Sequence, residues 1–378
     1  MDAVKGNIID SFEPLEDFRV IGRCDHKLID IIMLSICAVI CGADTCVGIH
    51  DFGVVKETWL RKFLELPNGI PSHDTIGRVL SLLNPVKFEA CFLNWVQDVF
   101  QVTGEQIIPI DGKTLRRSYD RKSDKAPIHM VSAWGARNGI VLGQIKTNEK
   151  SNEITAIPEL LNLLEISGCI ITIDAMGCQK EIAKTIIENK ADYVLAVKDN
   201  QPTLYKEIVE SIDDAIELES SNTKTDLIDY YETEELSHGR KETRRYYIMD
   251  QLDDVPSSIE WEGLNSIGMV ETIRTVDNKT STNRRYFIGS IEKNAQSFGV
   301  AVRSHWGIEN SLHWILDVSF REDDCRVRKN NAPENFSVVR RAALNLLKNE
   351  TTMKRGVKLK RQNAGWNTEY LEKVIDFK

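Results

Sequence analysis

Two short apolar segments of the chain each end in an aspartate. Ile107–Ile110 is followed by Asp111, and Ile170–Ile173 is followed by Asp174. Short runs of apolar, mainly β-branched residues predict buried strands, and a carboxylate beside such a strand is costly to desolvate. Because like charges repel when they are brought together, the aspartates predict a shared site in which a cation offsets their charge. We expect Mg²⁺ at this site, with a polyanion as the substrate.

The length and composition of the chain fit a protein of two or three domains with ordinary cores. It has 378 residues, of which 42% are hydrophobic and 28% are charged. The longest apolar segment, Leu28–Ala43, is shorter than the roughly 20 residues that span a bilayer, so it predicts a buried helix. The acidic N-terminus does not resemble a secretory signal. We therefore expect a cytoplasmic protein with no membrane partner.

Charge and cysteine distribution narrow the class of partner. The net charge of −9 disfavours nucleic-acid binding by the whole surface, but Arg303–Arg361 contains thirteen Lys/Arg against seven Asp/Glu. The local field rather than the sum decides whether a phosphate backbone can bind. Eight cysteines are scattered without a C-x-x-C motif, which favours reduced thiols over a zinc site.

Residues 1–101 predict a helical N-terminal domain. Apolar residues recur at helical spacing in Leu28–Cys41 and Gly48–Leu66, and a third helix is expected to begin near Ser72, after a turn rich in proline and glycine. The last two helices could form a helix-turn-helix that presents its second helix to the ends of a DNA molecule. Simple packing of the two helices is the competing interpretation.

From Gln106 onward, strands alternate with helices. Three strands come first, and Asn138-Gly139 predicts a hairpin between the second and the third. A helix, a strand, a helix and a strand follow, an order that predicts an α/β protein with a ribonuclease-H-like mixed sheet core. The predicted elements are Gln106–Ile110, His129–Ala136, Ile140–Lys146, Glu153–Glu165, Ile170–Asp174, Gln179–Asn189 and Tyr193–Val197.

This core is expected to span residues 102–347 and to contain a β-rich insertion at about 221–290. A helix at Gln296–Val318 returns to the core, and residues 348–378 predict a basic helical C-terminal tail. The β-like pieces of the insertion are Arg244–Met249, Ser266–Thr275 and Arg284–Ser290.

A third carboxylate is expected from the helix that follows the insertion. Glu309 is set among tryptophans, with His305 and His313 each one turn away. A glutamate in these surroundings is unusual for a solvated surface, and it would complete a carboxylate set for two Mg²⁺ ions. Asp317 lies about 80° around the helix from Glu309, so we expect it to support the site rather than to bind the ions.

Eight sequence motifs are spread over almost the whole chain. They are PSHDTIGRVLSLLNP (71–85), IDGKTLRRS (110–118), HMVSAW (129–134), ITIDAMGCQ (171–179), DYVLAVKDNQ (192–201), HGRKETR (238–244), HWGIENSLHWILDVSFREDDCR (305–326) and AGWNTEYL (364–371). In these motifs and in their order, the chain resembles the DDE-type insertion-sequence transposases, and within them the H-repeat-associated group.

The resemblance implies that Asp111, Asp174 and Glu309 are both the catalytic residues and the metal ligands. Mg²⁺, or Mn²⁺ in its place, would serve as the cofactor, with two ions bound and no small-molecule cofactor. The implied activity is metal-dependent DNA strand cleavage and strand transfer at the ends of an insertion sequence. The implied partner is double-stranded DNA, as terminal inverted repeats and as target DNA, and the protein would be associated with the bacterial nucleoid while it acts. Because strand transfer requires two ends to be held together, we expect a homodimer on DNA.

Related transposases place a Tyr, an Arg and a Lys around the glutamate, at positions where this chain has Val302, His305 and Leu316. Arg303 or the histidines would then take over the phosphate contacts.

Basic and polar residues near the motifs are expected to contact the DNA backbone, which positions DNA without reading its sequence. Solvated loop charge is the competing interpretation. The basic residues at Arg326–Lys329 and Lys354–Arg361 are expected to face solvent. The predicted DNA-binding residues are Lys113, Arg116, Arg117, Lys198, Asn200, Gln201, His238, Arg240, Arg244, Arg245, Arg303 and His305.

Two other functions compete with this interpretation. A DNA-binding protein descended from a transposase would bind inverted repeats without cutting them, although all three acidic residues are present here. A glycosidase would use two carboxylates as acid and base or nucleophile. The basic loops beside Asp111 and Asp174 and the low aromatic content (7%) disfavour a sugar site.

Overall fold

The computed structural model describes residues 7–20, 22, 24–99, 106–119, 126–147, 153–221, 226–237, 239–277 and 279–375. The helices in these ranges are α1 (Ile8–Phe12), α2 (Leu28–Ile40), α3 (Cys46–Leu60), α4 (His73–Leu82), α5 (Pro85–Val99), α6 (Glu153–Leu163), α7 (Lys180–Glu188), α8 (Pro202–Ser220), α9 (Ala295–Ile308), α10 (Trp314–Phe320), α11 (Ala332–Asn349), α12 (Val357–Trp366) and α13 (Thr368–Ile375). The strands are β1 (Ile107–Thr114), β2 (His129–Gly135), β3 (Ile140–Lys146), β4 (Ile170–Ile173), β5 (Asp192–Val197), β6 (Asp229–Ser237), β7 (Arg240–Met249), β8 (Ser266–Val276) and β9 (Lys279–Gly289).

Helix α2 is buried along almost its whole length because its sequence, LIDIIMLSICAVI, is apolar on every face. Its buried carboxylate, Asp30, accepts a hydrogen bond from the backbone N–H of Leu66 at 2.8 Å. None of the helices in the described ranges is both long enough and apolar enough to cross a bilayer.

Helix α3 differs from the predicted helix at both ends. It begins at Cys46 rather than Gly48, because the hydroxyl of Thr45 caps it by accepting the backbone N–H of Gly48 at 3.1 Å. It ends at Leu60, and the chain then turns through Leu66, whose φ of 44° is incompatible with a continuing helix.

One nine-stranded sheet runs through the molecule in the order β3-β2-β1-β4-β5-β9-β8-β7-β6. Strands β1, β2 and β3 are antiparallel, whereas β1, β4 and β5 are parallel. These five strands form the predicted ribonuclease-H-like mixed sheet, with helices packed on it, so the fold class is confirmed. The hairpin at Asn138-Gly139 is also present, with Gly139 at φ 67°.

The β-rich segment continues the same sheet, because β9 pairs antiparallel with β5. Strands β7 and β9 begin earlier than predicted, and β6 was not predicted at all. Charged residues such as those of β6 (DYYETEELS) are poor strand signals in sequence. In the folded chain they are matched across strands, as in the pairs Arg245–Glu232 at 2.8 Å and Lys241–Glu234 at 2.7 Å.

Helix α11 joins the N-terminal helices to the sheet. It packs against α2, α4 and α5 on one side and β3 on the other. The side chain of Asn345 forms two 2.8 Å hydrogen bonds with the backbone of Val141, one to its N–H and one to its carbonyl, so α11 covers the edge strand β3.

The expectation that Lys354–Arg361 faces solvent is wrong for its last two residues. Lys360 is buried and donates to the carbonyl of Leu347, and the buried guanidinium of Arg361 donates twice to the carbonyl of Val39. These cations satisfy carbonyl groups near the ends of α11 and α2, which have no partner within the helices themselves.

Candidate active site

Asp111 and Asp174 lie side by side at one end of the parallel strands. Ile110 of β1 pairs with Ile173 of β4, so the next residue on each strand is an aspartate, and neighbouring strands are only about 4.8 Å apart. Strand β4 ends there, and Asp174 Oδ1 accepts the backbone N–H groups of Met176 and Gly177 at 3.1 and 3.3 Å. Strand topology therefore places the two aspartates at adjacent positions on neighbouring strands.

Glu309, the residue that follows α9, lies at the same end of the parallel strands. This helix packs across β1, β4 and β5, and a π-helical turn, Glu309–His313, separates it from α10. Such wide turns occur frequently at functional sites. Glu309 lines a cavity of about 200 Å³ together with Asp174, His305 and Lys198.

The surroundings of Asp111, including the charges of neighbouring carboxylates, raise its pKa. Burial raises the pKa of Asp111 to about 7, and the charges of Glu153, Asp174 and Glu309 act in the same direction. The oxygen donors and the uncompensated negative charge fit a hard divalent cation such as Mg²⁺. Within the described part of the chain, however, no three His, Cys, Asp or Glu side chains come close enough together to hold one metal ion.

Two neutral histidines flank the aspartates. His313 Nδ1 lies 3.4 Å from Asp111 Oδ2. Burial, together with the charges of Arg341 and Lys113, lowers the pKa of His313 to about 3, so the imidazole is uncharged at neutral pH. His305 Nδ1 lies 3.1 Å from Thr172 Oγ1, and burial lowers its pKa as well. This contact ties α9 to β4 next to Asp174.

Lys113 connects β1 to the segment that follows Glu309. Its buried ammonium pairs with Asp317, with Glu322 at 3.1 Å and with Asp323 at 3.6 Å. Glu322 also pairs with Arg341 at 3.0 Å, and neither side chain is exposed. Burial alone would raise the pKa of Glu322, but the charges of Arg341 and Lys113 lower it to about 2. The network therefore fixes the spacing between the strand of Asp111 and the helix after Glu309.

Comparison with known proteins identifies the family. A family model described as "Transposase DDE domain" matches residues 102–346, and one described as "DDE_Tnp_1-associated" matches residues 9–96. This chain belongs to the DDE transposase family.

Some relatives match this chain over nearly its whole length. "Putative transposase YncI" of Escherichia coli O157:H7 is 45% identical, covering 98% of this chain and 94% of the relative. "H repeat-associated putative transposase YhhI" of Escherichia coli K12 is 43% identical over 96% and 95% of the two chains. The predicted resemblance to the H-repeat-associated group is thus confirmed. A solved piggyBac transposase synaptic complex aligns distantly, with a TM-score of 0.40 and 11% identity over 95% of this chain and 75% of that chain.

Several residues that were predicted to contact DNA make contacts within the protein. The ammonium of Lys113 is enclosed by carboxylates, as described above. Asn200 donates to the carbonyl of Ala175 at 2.7 Å, and Gln201 donates to the carbonyl of Cys178 at 3.0 Å. These amides hold the loop that follows Asp174, so a positioning role fits their contacts better than a phosphate contact.

The arginines of the β-rich segment divide between the two faces of the sheet. Arg240 and Arg244 of β7 line a cleft of about 320 Å³, together with Arg303 of α9. Arg245 follows Arg244 on the same strand and therefore points to the opposite face, where it pairs with Glu232 and Glu271. Arg116 and Arg117 are exposed beside Asp323 and Asp324, Lys198 is exposed at the cavity, and His238 lies outside the described residues.

Sequence reasoning missed two further arginines of this cleft. Arg274 and Arg285 line it together with Trp306, and Arg285 and Trp306 also line the cavity at Glu309. The guanidinium of Arg285 lies over the Trp306 ring at 5.2 Å from its centroid. The alternation of residues along β8 and β9 is the signal that could have placed them. Acidic side chains offset part of this charge, because Glu242 lines the cleft and Glu235 pairs with both Arg244 and Arg303.

Proposed function

We propose that this transposase cuts DNA at the ends of an insertion sequence and joins those ends to target DNA, with Asp111, Asp174 and Glu309 as its catalytic residues. The proposal is supported by the pairing of Ile110 with Ile173, which sets Asp111 beside Asp174, and by the cavity that Asp174 and Glu309 line together. An arginine-lined cleft adjoins the cavity at Glu309, because Arg285 and Trp306 line both.

Each residue has a distinct role in the proposed reaction. Divalent metal ions, Mg²⁺ or Mn²⁺, would supply positive charge to the attacking and leaving oxygens of the phosphodiester. Asp111 is held by a regular strand, and Asp174 by two backbone N–H groups that both bind Oδ1, so that Oδ2 could serve as a metal ligand. Glu309 is exposed on its π-helical turn, so its side chain can adjust when metal and DNA bind. Neutral His313 keeps Asp111 in place without competing with a cation.

The N-terminal helices would hold the DNA ends. Ser72 caps α4 by accepting the backbone N–H of Thr75 at 3.2 Å, and the first two residues of that helix are exposed, as is Arg78. An exposed helix N-terminus with a nearby arginine suits contact with a phosphate backbone. We propose residues 1–101 as an end-binding region beside the catalytic core at 102–347 and the basic helical tail at 348–378, acting in a homodimer that holds two inverted repeats.

The proposal is tested by incubating the protein with DNA that carries the ends of its insertion sequence. Cleavage is expected with Mg²⁺ or Mn²⁺, none with a chelator, and loss of cleavage in Glu309→Gln. If the ends are bound but never cut with either metal, the chain is instead a DNA-binding protein derived from a transposase.

The arginine cleft makes a separate prediction. Arg274→Gln is expected to weaken binding of end DNA and to reduce the slope of log affinity against log salt by about 0.9, the value for one lost phosphate contact. Arg274 is exposed and lines the cleft. Binding would be measured by fluorescence anisotropy over a series of salt concentrations.

Arg284→Gln is the matched control, because Arg284 pairs with Asp213 and Glu271 on the other face of the same sheet. It removes the same charge and should leave the slope unchanged. Equal effects of the two variants would mean that the cleft has no special part in DNA binding.

A further inference from the structure

We propose that Glu153 is a fourth acidic residue of this active site, that it strengthens cation binding at Asp111, and that His129 positions it. This inference rests on the proposed function, since it assigns a role within the same site. Sequence patterns indicated Glu153 only as the start of a helix and His129 only as the start of a strand.

A chain of side-chain contacts holds the Glu153 carboxylate in place. His129 Nε2 lies 2.6 Å from Glu153 Oε1, and His129 Nδ1 lies 2.8 Å from Thr114 Oγ1. Both ring nitrogens therefore have partners, one on α6 and one on β1. The imidazole bridges the first residue of the helix to the strand that carries Asp111, so the carboxylate has little freedom to move away.

Gly112 allows this approach. A Cβ atom at Gly112 would overlap both the Glu153 carboxylate and the His129 ring. The carboxylate therefore rests directly against the backbone of β1 at the residue after Asp111, a position that only glycine permits. The Glu153 carboxylate thus lies against the residue that follows a proposed metal ligand, where its charge can add to that of the site.

A purely structural ion pair between His129 and Glu153 is the alternative role, and it predicts different behaviour. A structural pair stabilises the protein whether or not metal is present. A carboxylate that serves the cation instead repels Asp111 in the metal-free protein and is compensated only when a cation binds. Removing its charge should then leave the metal-free protein equally or more stable while cation affinity falls.

The test uses the full chain without DNA and follows the unfolding temperature as Mn²⁺ is added. Glu153→Gln is expected to weaken Mn²⁺ binding about tenfold, the usual size of an effect from outside the direct ligands. Glutamine is close to glutamate in size and retains an oxygen to accept from His129. Glu159→Gln is the matched control, because Glu159 is exposed on the same helix, and its Mn²⁺ affinity should equal that of the unaltered protein.

Variants of His129 test the positioning role. His129→Ala is expected to weaken Mn²⁺ binding, and His129→Gln, whose amide can still donate to Glu153, should recover part of the loss. Mn²⁺ affinity that is unchanged in folded Glu153→Gln, or equally reduced in Glu159→Gln, would overturn the inference. Failure of the proposed function is recognised separately, by cleavage that persists in Asp111→Asn.

Discussion

Asp111→Asn is expected to reduce cleavage of end DNA by on the order of a thousandfold, because it removes a charged ligand from the centre of the metal site. DNA binding should persist, since the arginine cleft and the N-terminal helices are untouched. Nicking of a labelled end fragment with Mg²⁺ measures the first effect, and anisotropy at one salt concentration measures the second. Cleavage at the original rate in this variant would remove Asp111 from the site.

The same variant has a stability control with a defined sign. The pKa of Asp111 is about 7 in the folded chain against an ordinary value of 3.8. In the metal-free folded state, ionising Asp111 therefore lowers the free energy of unfolding. This loss is absent below pH 3.8, grows between pH 3.8 and 7, and is complete above pH 7. Asparagine does not titrate, so at pH 8 without metal the variant should unfold at a temperature equal to or above that of the original protein. A clearly lower unfolding temperature would mean that the carboxylate has a structural role.

Arg341→Met is expected to lower the free energy of unfolding by about 3–5 kcal/mol, the usual result of removing one partner from a buried ion pair. Arg341 and Glu322 are both fully buried and lie 3.0 Å apart, so the variant leaves a desolvated carboxylate with less compensation. Urea unfolding of the metal-free protein at pH 7 measures the loss. The stabilisation that ionised Glu322 gives the folded state is fully present above pH 4.5. It is lost as the pH falls toward about 2, because the pKa of Glu322 is lowered in the folded chain.

The double variant Arg341→Met, Glu322→Gln is the control. It removes both charges, so it should recover much of the stability lost in the single variant. A single variant within about 0.5 kcal/mol of the original protein, the usual range of a surface substitution, would contradict the importance of the pair.

The parts of this protein that follow from local pattern could be predicted from sequence. The apolar strands Ile107–Ile110 and Ile170–Ile173, the glycine turn and the hairpin order of β1 to β3 gave the sheet, and the strand-end aspartates followed from it. The acidic strand β6 was missed because its charged residues are poor strand signals by themselves and are matched only once it pairs with β7.

Side-chain roles were harder to predict because they depend on partners far apart in sequence. From its place in the sequence, two residues after Asp111, Lys113 was predicted to be free to bind DNA, yet Asp317 and Glu322 enclose it. Glu153 reads as an ordinary first-turn glutamate, and only the folded chain brings it to Gly112. In both cases the neighbours are fixed by tertiary packing, which residue spacing does not report.

Helix α11 has a consequence for how the protein is made. The edge of β3 and the shared core are covered only when this segment, near the C-terminus, has left the ribosome. A nascent chain must therefore carry uncovered strands through most of its synthesis. A gene copy that stops before residue 332 would yield a product with an open β edge, prone to aggregation and degradation rather than to competing with the intact protein for DNA.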